Sequence, residues 1–301
     1  MKQKLITLIL LTISVVAYAV PAYQNVPGIS AQDNQRIKQT LEKYENYEGR
    51  KVATFDADGT VIGQVPYYLA DEALFDYAIN HTGKKLDLIK EMTSTSNTSK
   101  DYLSQRVNYF SGLTPQEVTE LGNKTFNKYY RDKIYSNIKV LIQDLKSYGF
   151  EVWIVSASPE LLYQGFLSAE LDIPVTHIIG VKSVVSNGVI TNKIVLPISQ
   201  DDGKVDAIEI IIKAKPILAA GNSTSDVEML NYSSALKVIV NPNSSKKVDY
   251  LGSKTLKEYA KSQSWVIAKA NDTIDVADYK SMASYKFHVK QNDINVVTTD
   301  S

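Results

Sequence analysis

A chain of 301 residues with 33 basic and 33 acidic side chains carries no net charge, which gives no reason to expect nucleic acid or an anionic membrane as a partner. It has no cysteine, which removes thiol nucleophiles, disulfides and Cys-ligated metals, and its 44% hydrophobic content can build a core without such staples. The length suits one large domain, or a domain carrying an insertion.

Lys2 and Lys4 give a basic start, Leu5 to Val16 is an apolar run interrupted only by Thr and Ser, and Ala17-Tyr18-Ala19 is a small-x-small cleavage pattern followed by Val20-Pro21. Residues 1–19 therefore read as a secretory signal peptide cut after Ala19, with the mature chain periplasmic or secreted. A permanent membrane anchor is the competing reading. The run is about a dozen residues where a span needs about 20, so no stable anchor is expected.

Ser30 to Tyr47 carries Ile37, Leu41 and Tyr44 at helical spacing, with Gly49 as a stop. Lys51-Val52-Ala53-Thr54 then reads as a buried strand that runs into Phe55-Asp56-Ala57-Asp58-Gly59-Thr60. Residues i and i+2 of an extended chain point the same way, so Asp56 and Asp58 leave the strand end on one side. Two such carboxylates repel unless a cation or a proton task requires them. Gly59 lets the backbone turn sharply and approach a ligand. An ordinary acidic turn has the same composition.

From 62 to 133 the chain reads as a small, mainly helical unit. Pro66, Tyr67, Tyr68, Leu69, Leu74, Phe75, Ala78 and Ile79 follow helical spacing, Thr93 to Lys100 is a polar loop, and Leu113-Thr114-Pro115-Gln116-Glu117 carries the cap, proline and acidic first turn of another helix. Strand and helix then alternate. Ile138, Leu141, Ile142, Leu145 and Tyr148 form a stripe ending at Gly149, and Val152-Trp153-Ile154-Val155 is a strand that ends at Ser156-Ala157-Ser158-Pro159. A helix with Leu161, Leu162, Phe166 and Leu167 follows. Ser186-Asn187-Gly188 sits between two apolar runs as a hairpin turn. Gly203-Lys204-Val205 opens a helix, Pro216 to Ala220 is a strand leading to Gly221-Asn222-Ser223-Thr224-Ser225-Asp226, and Leu236 to Val240 is one more strand. Leu256 to Ala260 fits a helix and Trp265-Val266-Ile267 a strand, while the last 30 residues show no pattern.

The alternation predicts an α/β fold, a three-layer α/β/α Rossmann-like core with a mostly parallel sheet and an inserted helical cap. The expected division is 20–61 and 134–301 for the core and 62–133 for the cap. Ligands of such sheets bind beyond the carboxyl ends of the strands, where Asp56/Asp58, Ser156/Ser158 and Asn222/Asp226 all fall.

These residues resemble the motifs of the haloacid dehalogenase (HAD) superfamily, specifically its phosphatases with a helical cap after the first motif, such as the phosphoserine and secreted phosphorylcholine phosphatases. The resemblance covers about 50–242. The first motif, D-x-D-G-T, matches Asp56 to Thr60; the second, a Ser or Thr ending a strand, matches Ser156; the third matches Lys204; the fourth, G-D-x-x-x-D, matches Gly221 to Asp226. The first and fourth are specific, and the other two gain weight from order and spacing.

The resemblance implies an exported Mg²⁺-dependent phosphomonoester hydrolase acting on a small phosphorylated metabolite. Asp56 would attack phosphorus and form an aspartyl-phosphate, and Asp58 would protonate the leaving alkoxide and then activate water. Ser156, Lys204, Gly59 and Thr60 would hold the phosphoryl group, and Asp56, Asp58 (through its carbonyl), Asn222 and Asp226 would hold Mg²⁺. Ser156 could instead cap the next helix, although Ser158 before Pro159 is better placed for that. Lys182 and Lys193 compete with Lys204 but lack its Gly-Lys context.

Asn222 departs from the family pattern, replacing the usual Asp and removing one negative charge from the metal site. Hence two other readings stay open: a phosphoester-binding protein on the same scaffold, and a phosphotransferase. Asp58 argues against a 2-haloacid dehalogenase, which needs no second acid. In the cap, Tyr67, Tyr68, Phe75 and Tyr77 could form an aromatic cage for a quaternary ammonium, or could simply be cap core. His81, His177 and His288 share no spacing and read as surface or packing residues.

Overall fold

The strand β1, Val52–Phe55, is buried along its whole length and lies at the middle of a seven-stranded sheet. In this computed structural model, which describes residues 22–81, 86–272 and 280–290, β1 pairs in parallel with β2 (Glu151–Pro159) on one side and β5 (Leu218–Gly221) on the other. The expected signal peptide lies outside the described residues. Beyond β2 come β3 (Ile178–Ser186), parallel, and β4 (Val189–Val195), antiparallel; beyond β5 come β6 (Leu236–Val240) and β9 (Val266–Ala268), both parallel. The order is β4-β3-β2-β1-β5-β6-β9, while β7 (Lys247–Val248) and β8 (Lys254–Thr255) form a separate ribbon. The chain moves outward from β1 to β4 and then returns to β5 on the other side of β1. Strand order therefore reverses beside β1, the place where open α/β sheets leave a crevice at the carboxyl ends.

Both faces of the sheet are covered. Ala53 and Phe55 join one buried cluster with Leu74, Leu141 and Leu167, and Val52 joins the other with Trp153, Ala219 and Ile208. The helix α1 (Ala31–Lys43) starts where the Ser30 hydroxyl accepts the Asp33 N–H. Between β1 and β2 the described residues form helices and no strand: α2 (Leu69–Asn80), α3 (Leu86–Thr93), α4 (Lys100–Asn108) and α5 (Pro115–Thr125), the last opened by the Thr114/Glu117 capping box. The two ends of this stretch meet in a short neck, with Gly63 N–H on the Lys133 carbonyl (2.8 Å) and Tyr135 N–H on the Val61 carbonyl (2.9 Å). After the neck come α6 (Ser136–Ser147), α7 (Glu160–Leu171), α8 (Asp202–Ala207), α9 (Val227–Tyr232) and α10 (Leu256–Ser262).

Two features differ from the expectation. β2 does not end at Val155 but continues through Ser156 and Ser158, because Pro159 still pairs with Val181 after a shift of register. A helix also forms at Ala283–Lys290, where the sequence shows no pattern, and it packs against α2. The hairpin turn does follow its sequence: Asn187 and Gly188 take φ of 50° and 79°, the twist that suits two antiparallel strands.

Candidate active site

Asp56 is the first residue beyond β1, and its N–H donates to the Ala220 carbonyl of β5 at 2.9 Å. The sheet itself thus fixes where this carboxylate emerges. Lys204 reaches it from α8: its Nζ donates to Asp56 Oδ1 and to Asp226 Oδ1, both at 2.6 Å. Lys204 is only 1% exposed, a burial that lysine tolerates when it is paired. Burial alone would lower the pKa of its ammonium, but the carboxylates of Asp226 and Asp56 override this and hold it above the ordinary value. One cation cannot neutralise two acids. Burial pushes Asp56 up to about 7, with Lys204 opposing and Asp226 and Asp58 adding to the rise.

Asp226 is bound tightly at its other oxygen. Its Oδ2 accepts from the N–H groups of Asn222 and Ser223 and from the Ser223 hydroxyl, each at 3.0 Å, so the turn after β5 folds around this carboxylate. Among the described residues Asp56 Oδ2, by contrast, meets only the Thr60 hydroxyl at 3.3 Å, and that hydroxyl lies 3.5 Å from Asn222 Oδ1.

Asp58 has different surroundings. Ser158 donates to its Oδ2 at 2.7 Å, and the Tyr163 hydroxyl lies 2.7 Å from Oδ1 and 3.0 Å from Oδ2. Burial raises its pKa most strongly, and the Ser158 and Tyr163 hydroxyls only partly oppose that rise. Ser156 joins this group indirectly, its hydroxyl accepting the Ser158 N–H at 3.0 Å. From the helical stretch, Arg106 of α4 pairs with Asp71 of α2 at 3.1 Å and donates to the Ala157 carbonyl at 3.2 Å and the Ser158 hydroxyl at 3.4 Å. Tyr102 completes the contact by donating to Asp71 at 3.0 Å.

Direct contacts therefore unite Asp56, Thr60, Lys204, Asn222 and Asp226, with Asp58, Ser158, Tyr163 and Ser156 as a neighbouring group. Of the three candidate lysines, Lys204 meets Asp56, Lys182 pairs with Glu160 at 2.9 Å, and Lys193 is exposed on β4. Several expectations need correction. Gly59 does not present its amide to a ligand, because that N–H donates to the Ile62 carbonyl at 2.7 Å. The Thr60 hydroxyl likewise bonds inside the motif. Ser158 does not cap α7, which starts without a side-chain cap; its hydroxyl is turned to Asp58. Asp226 Oδ2 is occupied by three donors of its own turn, while its Oδ1 accepts from Lys204. Phe75 is buried in the apolar core and Tyr77 stacks on His81, so these rings do not join Tyr67 and Tyr68 in a cage. The reason is α2 itself, which packs apolar side chains around most of its circumference. Tyr68 does lie near the site: burial first, then Asp58 and Asp71, raise its hydroxyl pKa above the ordinary value.

Tyr163, Arg106 and Asp71 were absent from the sequence expectation. Tyr163 lies one turn into a helix that covers the sheet, where an aromatic reads as core, and no local spacing links Arg106 to Asp58.

The steric role of Gly59 is sharper than its expected ligand role. Its φ is +75°, and a Cβ there would lie 2.1 Å from Asn222 Nδ2. Gly59→Ala should therefore displace Asn222 from Thr60 and destabilise the fold by about 1–2 kcal/mol from left-handed strain alone. Urea unfolding of the two proteins checks this, and an unchanged midpoint would contradict it.

Among the described residues, no group of three or more Asp, Glu, His or Cys side chains is arranged to hold a metal ion. The oxygens that do converge are Asp56 Oδ2 and Asn222 Oδ1, on either side of the Thr60 hydroxyl. Hard oxygen donors with one anionic ligand fit Mg²⁺, which keeps several waters of its own.

The family model for haloacid dehalogenase-like hydrolases matches residues 53–231, from β1 through α9. The chain belongs to this family. Among solved structures, this HAD hydrolase is similar to a conserved functionally unknown protein from Anaerococcus prevotii DSM 20548, at 16% identity over 82% of this chain and 96% of that chain, with a TM-score of 0.60. It is also similar to a protein of unknown function from Bordetella pertussis Tohama I, at 16% identity over 73% and 98% of the two chains, with a TM-score of 0.57. A phosphoserine phosphohydrolase-like protein from Francisella tularensis subsp. tularensis SCHU S4 matches at 22% identity over 77% and 98%, with a TM-score of 0.46. At these identities the first two show the fold. No curated protein matches the chain. In this HAD hydrolase the Asn222 side-chain oxygen faces the first motif through the Thr60 hydroxyl.

Proposed function

We propose that this HAD hydrolase is an exported Mg²⁺-dependent phosphomonoester hydrolase. The observation that carries the reading is the contrast between two buried carboxylates two residues apart: Asp56 held by an ammonium, Asp58 held by two hydroxyls. Asp56, with one oxygen anchored, attacks phosphorus as the ester P–O bond breaks, and an aspartyl-phosphate forms. Asp58, whose pKa is raised by burial, gives its proton to the leaving alkoxide. The same carboxylate then takes a proton from water, which attacks the phosphorus of the aspartyl-phosphate and releases inorganic phosphate and Asp56. Lys204 offsets the negative charge beside Asp56, and the Ser156 hydroxyl holds a phosphoryl oxygen. Mg²⁺, held by Asp56, Asn222 and the Asp58 carbonyl, would neutralise phosphate charge.

The helical stretch 62–133 would act as the cap that selects a small substrate, with Tyr68 a cap aromatic close enough to Asp58 and Asp56 to feel their charge. The basic, apolar and small-residue start of the chain supports export. Turnover of p-nitrophenyl phosphate by wild type and Asp56→Asn, with Mg²⁺ and with chelator, tests the reading. Wild type no faster than the variant would favour a binding protein, the alternative that Asn222 supports. If the protein is an enzyme, Asn222→Asp restores one charge and should lower the Mg²⁺ concentration for half-maximal turnover by roughly tenfold. An unchanged Mg²⁺ requirement would remove Asn222 from the metal site.

A further inference from the structure

We propose that Asp272 is a positioning residue for this site, a clasp that fixes the helical stretch over Asp56 and Asp58 by tying together both sides of its neck; the proposal rests on the phosphatase reading. Asp272 Oδ2 accepts the N–H groups of Gln64 (2.8 Å) and Val65 (3.1 Å), on the outgoing side of the neck. Its Oδ1 accepts Lys133 Nζ (2.8 Å), on the returning side of the neck, and burial, helped by the Asp272 charge, raises the pKa of the nearby Tyr135 hydroxyl. Lys133 closes the ring by donating to the Val65 carbonyl at 2.6 Å. Both partners of the ion pair are about nine-tenths buried, at 9% and 10% side-chain exposure. A buried carboxylate with three donors from the two sides of the neck holds geometry, because moving either side leaves a buried charge under-satisfied.

The segment that carries Asp272 is itself anchored to the sheet layer. Asn241, at the end of β6, donates its N–H to the Ala268 carbonyl and exchanges side-chain hydrogen bonds with the Ala270 carbonyl (2.9 Å) and N–H (3.0 Å). Gly63 is fitted to the clasp, since a Cβ there would lie 2.3 Å from Asp272 Oδ1. The neck begins four residues after Asp58, and Ile62 bridges both to Asp58 and to Ile134. A displacement of the neck is therefore passed to the second carboxylate as well as to the helices.

The chain beyond Asp272 makes a second attachment to the helical stretch. Glu72 of α2, fully buried, accepts the N–H groups of Ala283 (2.6 Å) and Ser284 (2.8 Å) at the start of the helix Ala283–Lys290. Met282 and Ala283 are buried with it. The C-terminal part of the chain thus holds the neck at Asp272 and α2 at Glu72.

The test uses the full chain, whose lack of cysteine allows clean labelling. Spin labels at Lys124→Cys on α5 and Lys261→Cys on α10, both exposed positions, report the distance between helical stretch and sheet layer. With Asp272 intact, one narrow distance is expected. With Asp272→Ala the distribution should broaden, and kcat on p-nitrophenyl phosphate should fall about ten- to a hundredfold while KM changes less than about threefold, as expected when geometry rather than binding is lost. If Asp272→Ala does not fold, Lys133→Gln removes the same ion pair and is read the same way. An unchanged distance distribution overturns the clasp, and an unchanged kcat overturns its positioning role. Absence of turnover in wild type would overturn the phosphatase reading instead, while the distance measurement would still decide the clasp.

Discussion

Asp56→Asn should reduce phosphomonoester turnover by roughly 10⁴- to 10⁶-fold, the scale seen when a nucleophile is removed from a site that otherwise stays assembled. The fold should survive, because an asparagine oxygen can still accept from Lys204 in place of the Oδ1 that now does so at 2.6 Å. Asp58→Asn separates the two roles. p-Nitrophenolate leaves without needing a proton, so the first step should proceed in that variant, whereas water attack on the aspartyl-phosphate loses its base. A burst of about one p-nitrophenolate per chain followed by slow turnover is therefore expected for Asp58→Asn, and no burst for Asp56→Asn. Acid-quenched wild type should carry covalent phosphate during turnover. If Asp56→Asn carries it too, Asp56 is not the nucleophile.

The sequence was most informative where the chemistry is local. Asp56 to Thr60 are consecutive, and Gly221 to Asp226 form one turn whose Asp226 accepts its own loop's N–H groups, so each stretch stands out locally and is matched to a motif through the family resemblance. The parallel sheet was legible too, since apolar runs such as Val152 to Val155 alternate with helical stripes. What could not be read is what crosses between segments. Tyr163 lies 105 residues from Asp58 and Lys204 148 residues from Asp56, and the difference between them is that Lys204 sits in a recognisable Gly-Lys context while Tyr163 sits in an apolar stripe. Spacing gives the position of Asp226 but not its orientation, with Oδ1 turned to Lys204 and Oδ2 to its own turn. Asp272 and the helix Ala283–Lys290 had no legible signal because both are defined by partners elsewhere, Gln64 to Lys133 in one case and α2 in the other.

Lys204→Met should produce the largest loss of stability at this site. The methionine fills a similar volume, but Asp56 and Asp226 then remain buried without a counter-charge, a change that costs about 3–5 kcal/mol when one partner of a buried pair is removed. The pH dependence distinguishes this from simple repacking. In wild type the Lys204 pKa is raised, so its contribution is fully present below the unfolded lysine value of roughly 10.4 and is lost only as pH rises through the folded value. Asp56, which burial already pushes up to about 7, loses the opposing ammonium in the variant, so it supports folding when protonated and loses that support as pH rises. The stability difference between the proteins should thus be small near pH 4 and should grow towards pH 7. Urea unfolding at the two pH values measures it, independently of any activity. An equal deficit at both would mean that Lys204 contributes packing, and that the two carboxylates do not depend on its charge.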